Sequence, residues 1–157
     1  MLSEAHAAFV RRFTSMSVGA RDAQNRPVVG RALGCRVSPD GRRLTVFLSA
    51  SRAAQLLECL RENGAVALAV TRPTTHETLQ FKGSVVDIRA LSAEDKIEME
   101  AYRESFVQEL AAIGYNRKFA SGILAGSDDG VAVEFEPVAM FDQTPGPRAG
   151  TRLAART

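Results

Sequence analysis

The sequence contains no tryptophan and, in 157 residues, only two tyrosines, two histidines and two cysteines. Each scarcity excludes a class of function. A protein that stacks nucleic-acid bases on an aromatic platform needs rings this chain lacks. His6 and His76 stand alone and cannot build a His-rich metal centre, and Cys35 and Cys59 have no ligand spacing. Those two cysteines form no disulfide framework, so both are read as reduced thiols of a cytoplasmic protein. No stretch approaches the ~18 apolar residues that span a membrane. The most apolar run, Ala65 to Val70, has the length of a strand, and Met1 to Arg12 has no apolar run of secretory-leader length. The formal net charge is only +2, and the arginines are scattered. That pattern suits discrete anion contacts and does not suit a polyanion-binding stripe. G-x-G-x-x-G, P-loop and G-x-S-x-G signatures are missing, and with them the dinucleotide, ATP and serine-hydrolase readings they support.

What is present is the composition of one globular domain, 45% hydrophobic and 24% charged. Residues 3–13 read as a short helix capped by Ser3, with Ala8, Phe9 and Phe13 on its apolar side. Met16, Val18 and Ala20 alternate with small polar residues, the period of a strand. Val28 to Val37 reads as a second strand, Ser38-Pro39-Asp40-Gly41 as a turn and Leu44 to Leu48 as a third strand. Three strands in this order predict an antiparallel meander.

Ser51 is expected to cap a helix that runs to about Asn63 and stops at Gly64. A buried strand over Ala65 to Thr71 and a long strand over Thr78 to Ile88 follow, the latter bent or bulged at Gly83. Ser92-Ala93-Glu94-Asp95 resembles a capping box with aspartate at its last position. The helix it opens has Ile97, Met99, Tyr102, Phe106, Val107 and Leu110 on its apolar side and ends by Gly114. Asn116 to Leu124 is one more short helix, and Val131 through Phe141 the last strand. About six strands with tight turns predict a mainly β fold with peripheral helices, an antiparallel sheet closing into a barrel. The domain occupies residues 1–142, and 143–157 form a Pro/Gly/Arg-rich tail, a loop or an arm.

Three groups of residues could carry chemistry. Arg31 and Arg36 lie five residues apart, which puts them on opposite faces of an ideal strand; a bulge at Gly34 would bring them to one side. Ser51-Arg52 opens a helix, where free N–H groups and the helix dipole favour an anion such as phosphate. Thr78, Gln80 and Lys82 share one strand face, opposite Leu79 and Phe81, and offer a row of hydroxyl, amide and ammonium to a polar heterocycle. Taken singly, the plainer readings are solvated arginines, an ordinary cap and an amphipathic edge strand. Asp128-Asp129-Gly130 reads as a solvated turn.

In sequence order these pieces resemble the pyridoxamine 5′-phosphate oxidase-like, FMN-binding split barrels. The residues that carry the resemblance are Arg31 and Arg36, the Pro39-Asp40-Gly41 turn, the strand Leu44 to Leu48 and Ser51-Arg52. Thr78-Leu79-Gln80-Phe81-Lys82-Gly83 and the ending Phe141-Asp142-Gln143-Thr144-Pro145-Gly146-Pro147 complete it. The resemblance implies a homodimer of six-stranded split barrels with FMN in the dimer crevice. Arg31, Arg36, Ser51 and Arg52 would meet the phosphate, and Gln80, with Thr78 and Lys82 beside it, the flavin ring. Two positions depart from the family pattern. Ala53 stands where many members have lysine, and no histidine follows Met140, where the vitamin B6 oxidases carry an Arg-x-His motif.

The function so implied is that of an FMN-dependent oxidoreductase acting on a small molecule other than pyridoxamine phosphate, with no nucleic-acid or membrane partner. A flavin brings the electron chemistry with it, so no acid or base signature is required of the chain. The rival readings are a non-catalytic module holding a flavin, deazaflavin, haem or other phosphorylated ligand, and a ligand-free dimeric barrel.

Overall fold

The computed structural model describes residues 2–125 and 129–153. The elements are α1 (Glu4–Arg11), β1 (Ser15–Arg21), β2 (Pro27–Arg31), β3 (Cys35–Val37), β4 (Leu44–Ser49) and α2 (Ala54–Asn63). They continue with β5 (Ala65–Thr71), β6 (Thr78–Ala90), α3 (Ala93–Ala111), α4 (Arg117–Ile123), β7 (Gly130–Asp142) and β8 (Thr151–Leu153). The sheet runs β2-β1-β5-β6-β7-β4-β3, with β8 added to β7, and every pairing is antiparallel. The strands at the two ends of this path, β2 and β3, are consecutive in the chain and joined by Ala32–Gly34, which closes the sheet on itself.

The expected mainly β fold with peripheral helices is what forms, with eight strands in place of six. Two departures explain the difference. The strand expected over Val28 to Val37 is broken: Ala32 bonds to Met16 on β1, whereas Leu33 and Gly34 both bond to Phe47 on β4. Gly34 adopts φ +145° there, and an added Cβ would lie 3.2 Å from the Phe47 ring. The meander therefore does not form, because the chain leaves one neighbour for another at this bend. The strand ending at Asp142 is also not the last, since Thr151–Leu153 returns to pair with Met140–Asp142.

Strand alternation fills the barrel. Met16 and Val18, Val66, Leu68 and Val70, and Leu79 and Phe81 point inward and are buried. Around them α2 packs on β1 and β2, α1 and α3 pack on β3, and α4 packs on α3. The local signals hold where they are local. Ser3 accepts from the His6 N–H, Gly64 closes α2 at φ +69°, and Asn116 caps α4. Ser92 and Asp95 form the reciprocal capping box. Gly83 sits at a register shift between β6 and β7, where an added Cβ would lie 2.1 Å from the Glu136 carbonyl oxygen. One residue of the α3 apolar side is misplaced by the periodicity: Ile97 is 69% exposed, whereas Met99, Tyr102, Phe106, Val107 and Leu110 are buried.

Candidate functional site

The outward residues of β1, β2, β5, β6 and β7 form rows across one face of the sheet. Along one row Arg31 faces Ser17, Ser17 faces Ala69, Ala69 faces Gln80, and Gln80 faces Phe141. The next row places Val29, Gly19, Ala67, Lys82 and Ala139 side by side. Each row thus has small residues on β1 and β5, with Arg31 or Val29 to one side of them and Gln80 or Lys82 to the other. Three strand spacings of about 4.8 Å separate Arg31 from Gln80, or roughly 14 Å. Thr78, Gln80 and Lys82 do share this face, as their period of two requires, while Leu79 and Phe81 are buried behind it.

The functional groups on this face are partly pre-set. Arg31 Nη1 donates to Ser15 Oγ at 2.9 Å. Gln143 Nε2 donates to Gln80 Oε1 at 3.3 Å, and the Thr71 and Thr78 hydroxyls lie 3.0 Å apart. Lys82 Nζ stands 5.2 Å from the centre of the Phe141 ring, a cation–π contact that holds the ammonium over the sheet.

A second cluster lies at the end of β4. Gly30 and Ala53 are close neighbours, since a Cβ added at Gly30 would be 3.8 Å from that of Ala53. Arg31 and Arg52 therefore flank one contact. The chain over residues 50–53 is a turn, and α2 begins only at Ala54 with Ala53 as an N-cap that offers no side-chain hydrogen bond. Ser51 is thus not the helix cap expected of it. Its backbone N–H donates instead to Asp129 Oδ2 at 2.7 Å, and Ser49 Oγ donates to Asp129 Oδ1 at 2.8 Å. The Ser51 hydroxyl first, then its amide and the Ser49 hydroxyl, hold the Asp129 carboxyl down to about 2. The expected solvated turn is therefore a structural anchor at Asp129; Asp128 lies outside the described residues.

Arg36 goes elsewhere. The irregularity at Leu33–Gly34 turns both arginines away from the core, yet Arg36, on β3, pairs with Asp95 near the start of α3 at 3.2 Å. Of the four residues expected at a phosphate, Arg31 and Arg52 are chain neighbours of the Gly30–Ala53 contact and Ser51 precedes Arg52, whereas Arg36 is paired with Asp95. Sequence reasoning missed Ser15, Ser49, Asp129, Phe141 and Gln143 as parts of these clusters. Gln143 had a signal, being two residues beyond Phe141, which faces Gln80. Asp129 had none, because only the pairing of Ser49 with Gly130 brings it to Ser51.

Fit to a flavin nucleotide divides along the same line. The sheet face supplies a shallow floor, an amide and two cations, and fits a ring. The Ser51 amide is taken by Asp129 and Arg36 by Asp95, so half of the expected phosphate contacts are committed within the chain.

No protein-family model matches the chain, and no curated protein does. Solved structures match it over nearly its whole length, as an antiparallel split β-barrel. An F420 reductase shares 18% identity at TM-score 0.58, over 88% of this chain and 98% of its own. HupZ of Group A Streptococcus shares 18% at TM-score 0.57, over 96% and 100%. A candidate pyridoxamine 5′-phosphate oxidase of Lactobacillus delbrueckii shares 13% at TM-score 0.56, over 89% and 93%. The chain has the split-barrel fold of the pyridoxamine 5′-phosphate oxidase-like proteins. No helix among the described residues is long and apolar enough to cross a membrane.

Proposed function

We propose that the chain is a flavin-binding oxidoreductase of the FMN type that works as a homodimer on a small-molecule substrate. The observation that carries this reading is the row from Arg31 through Ser17 and Ala69 to Gln80 and Phe141. Small side chains leave the centre of the face low, and a planar ring can approach the sheet there. Gln80 and Thr78 are the hydrogen-bonding groups for ring heteroatoms, and Lys82, steadied by Phe141, is a cation for an electron-rich ring. Arg31 stands at the opposite end of the row as the contact for an anionic side group. When bound, a flavin supplies the electron transfer, and the protein binds, orients and tunes it. Val29 on this face is 69% exposed and gives a second copy an apolar contact, so pairing would cover both the sheet and the ring.

The fold supports this reading, as does the F420 reductase among its structural relatives. The test is a visible absorption spectrum followed by titration with FMN, using wild type and Gln80→Ala. Saturable binding that weakens about tenfold in the variant, about 1.4 kcal/mol, is the expected result. A colourless protein that leaves FMN fluorescence unchanged would sink it. Sedimentation at micromolar concentration tests the dimer, and a monomer there would count against it.

A further inference from the structure

A phosphate on the 50–53 turn would need the Ser51 backbone N–H, and that donor is already engaged. Asp129 Oδ2 accepts from it at 2.7 Å, while Asp129 Oδ1 accepts from Ser49 Oγ at 2.8 Å. The Ser51 hydroxyl lies 3.3 Å from that of Ser49, and the Arg52 N–H reaches Ser49 Oγ at 3.4 Å. Asp129 is fixed from its backbone side as well. Its carbonyl oxygen accepts from the Ala50 N–H at 3.0 Å, and its neighbour Gly130 is paired in the ladder with Ser49. The backbone of Asp129 is thus held beside Ser49 and Ala50, which keeps its carboxylate within hydrogen-bond reach of the Ser51 amide.

We propose that Asp129 is a specificity-determining residue: it fills the anion seat at Ser51 with the chain's own carboxylate, so this turn does not read a ligand's phosphate. A phosphate arriving at the Ser51 amide would have to displace a negative charge or sit beside one, and like charges in contact disfavour each other. What remains for an anion at this end is the Arg52 guanidinium, exposed and without a side-chain partner among the described residues, and the Arg31 guanidinium held by Ser15. Contacts to such exposed cations are weakened by salt. For a ligand held by its ring on the sheet face, a reading on which the flavin part of this inference rests, recognition then falls on the ring and its neutral side chain. FMN and riboflavin should therefore bind with affinities within about tenfold of each other.

The test uses the full chain, isotopically labelled, as wild type and as Asp129→Asn, which keeps the shape and removes the charge. Inorganic phosphate is titrated while the Ser51 amide resonance is followed, and FMN and riboflavin affinities are measured in parallel. The wild-type amide should not move saturably, the Asp129→Asn amide should, and the preference for FMN over riboflavin should rise at least about tenfold in the variant. A saturable shift in wild type overturns the inference, and so does a variant in which neither the amide response nor the FMN preference changes. If neither flavin binds either protein, the flavin reading fails while the phosphate titration still decides this one. Should Asp129→Asn not fold, Asp129→Ser carries the same comparison.

Discussion

Arg36 Nη2 lies 3.2 Å from Asp95 Oδ1, and Asp95 has no exposed side-chain surface. Arg89 holds the other carboxylate oxygen at 2.5 Å, and the Ser92 N–H donates to it at 2.9 Å. Burial alone pushes this carboxyl up, but the Arg89 hydrogen bond, the Ser92 amide and the two guanidinium charges outweigh it and leave the group below its ordinary value. A depressed carboxyl contributes stability that is fully present above its unfolded-state value and is lost as pH falls through the folded one. Asp95→Ala is expected to cost about 2–4 kcal/mol at neutral pH, combining a lost cap with two unpaired, one-third-exposed arginines. Asp95→Asn should flatten the acid limb of the stability curve. Urea unfolding at pH 7 and pH 3 checks both.

Because Arg36 is committed to Asp95, Arg36→Ala should leave flavin affinity within about twofold of wild type. Arg31→Ala, at the end of the sheet-face row, should weaken it about tenfold. Fluorescence titration separates the two arginines, and equal losses would mean that they act together after all.

At Asp129 the carboxyl is held down to about 2 by the Ser51 and Ser49 hydrogen bonds. The contacts it makes should therefore persist through the ordinary aspartate range and fail only as pH falls through about 2. The Ser51 amide shift followed against pH reports this directly. A midpoint near the ordinary value of about 3.9 would show that the carboxylate is not seated as described.

Gly83 and Gly30 offer a matched pair. A Cβ at Gly83 would lie 2.1 Å from the Glu136 carbonyl oxygen, a backbone atom in the β6–β7 ladder. At Gly30 the nearest atom, 2.9 Å away, is the tip of the Leu56 side chain, which can turn aside. Gly83→Ala should cost about 3 kcal/mol and Gly30→Ala about 1 kcal/mol or less in denaturant unfolding.

Tyr102 is fully buried, and its hydroxyl donates to the Thr14 carbonyl at 2.6 Å, tying α3 to the start of β1. Tyr102→Phe keeps the packing and removes that donor, at an expected cost of about 1–2 kcal/mol. A loss well above that in thermal unfolding would mean the ring itself had moved.

The residues that announced themselves did so through short-range chemistry. Ser3, Gly64, Asn116 and the Ser92–Asp95 pair act within a helical turn, so their roles are written in three or four consecutive letters. The placement of Thr78, Gln80 and Lys82 on one face follows in the same way from the two-residue period of a strand. The sequence by itself determined these elements, the barrel-forming alternation and the polar strand at the centre of the candidate site. Tertiary structure alone decided where β2 breaks, because at Ala32–Gly34 the backbone changes partner from Met16 on β1 to Phe47 on β4. It also decided that Arg36 faces Asp95 and that Asp129 seats itself on Ser51, 78 residues away. Such partners are chosen by ladder register across the closed sheet, and register arises from the summed burial of whole strands, which no local run of residues encodes.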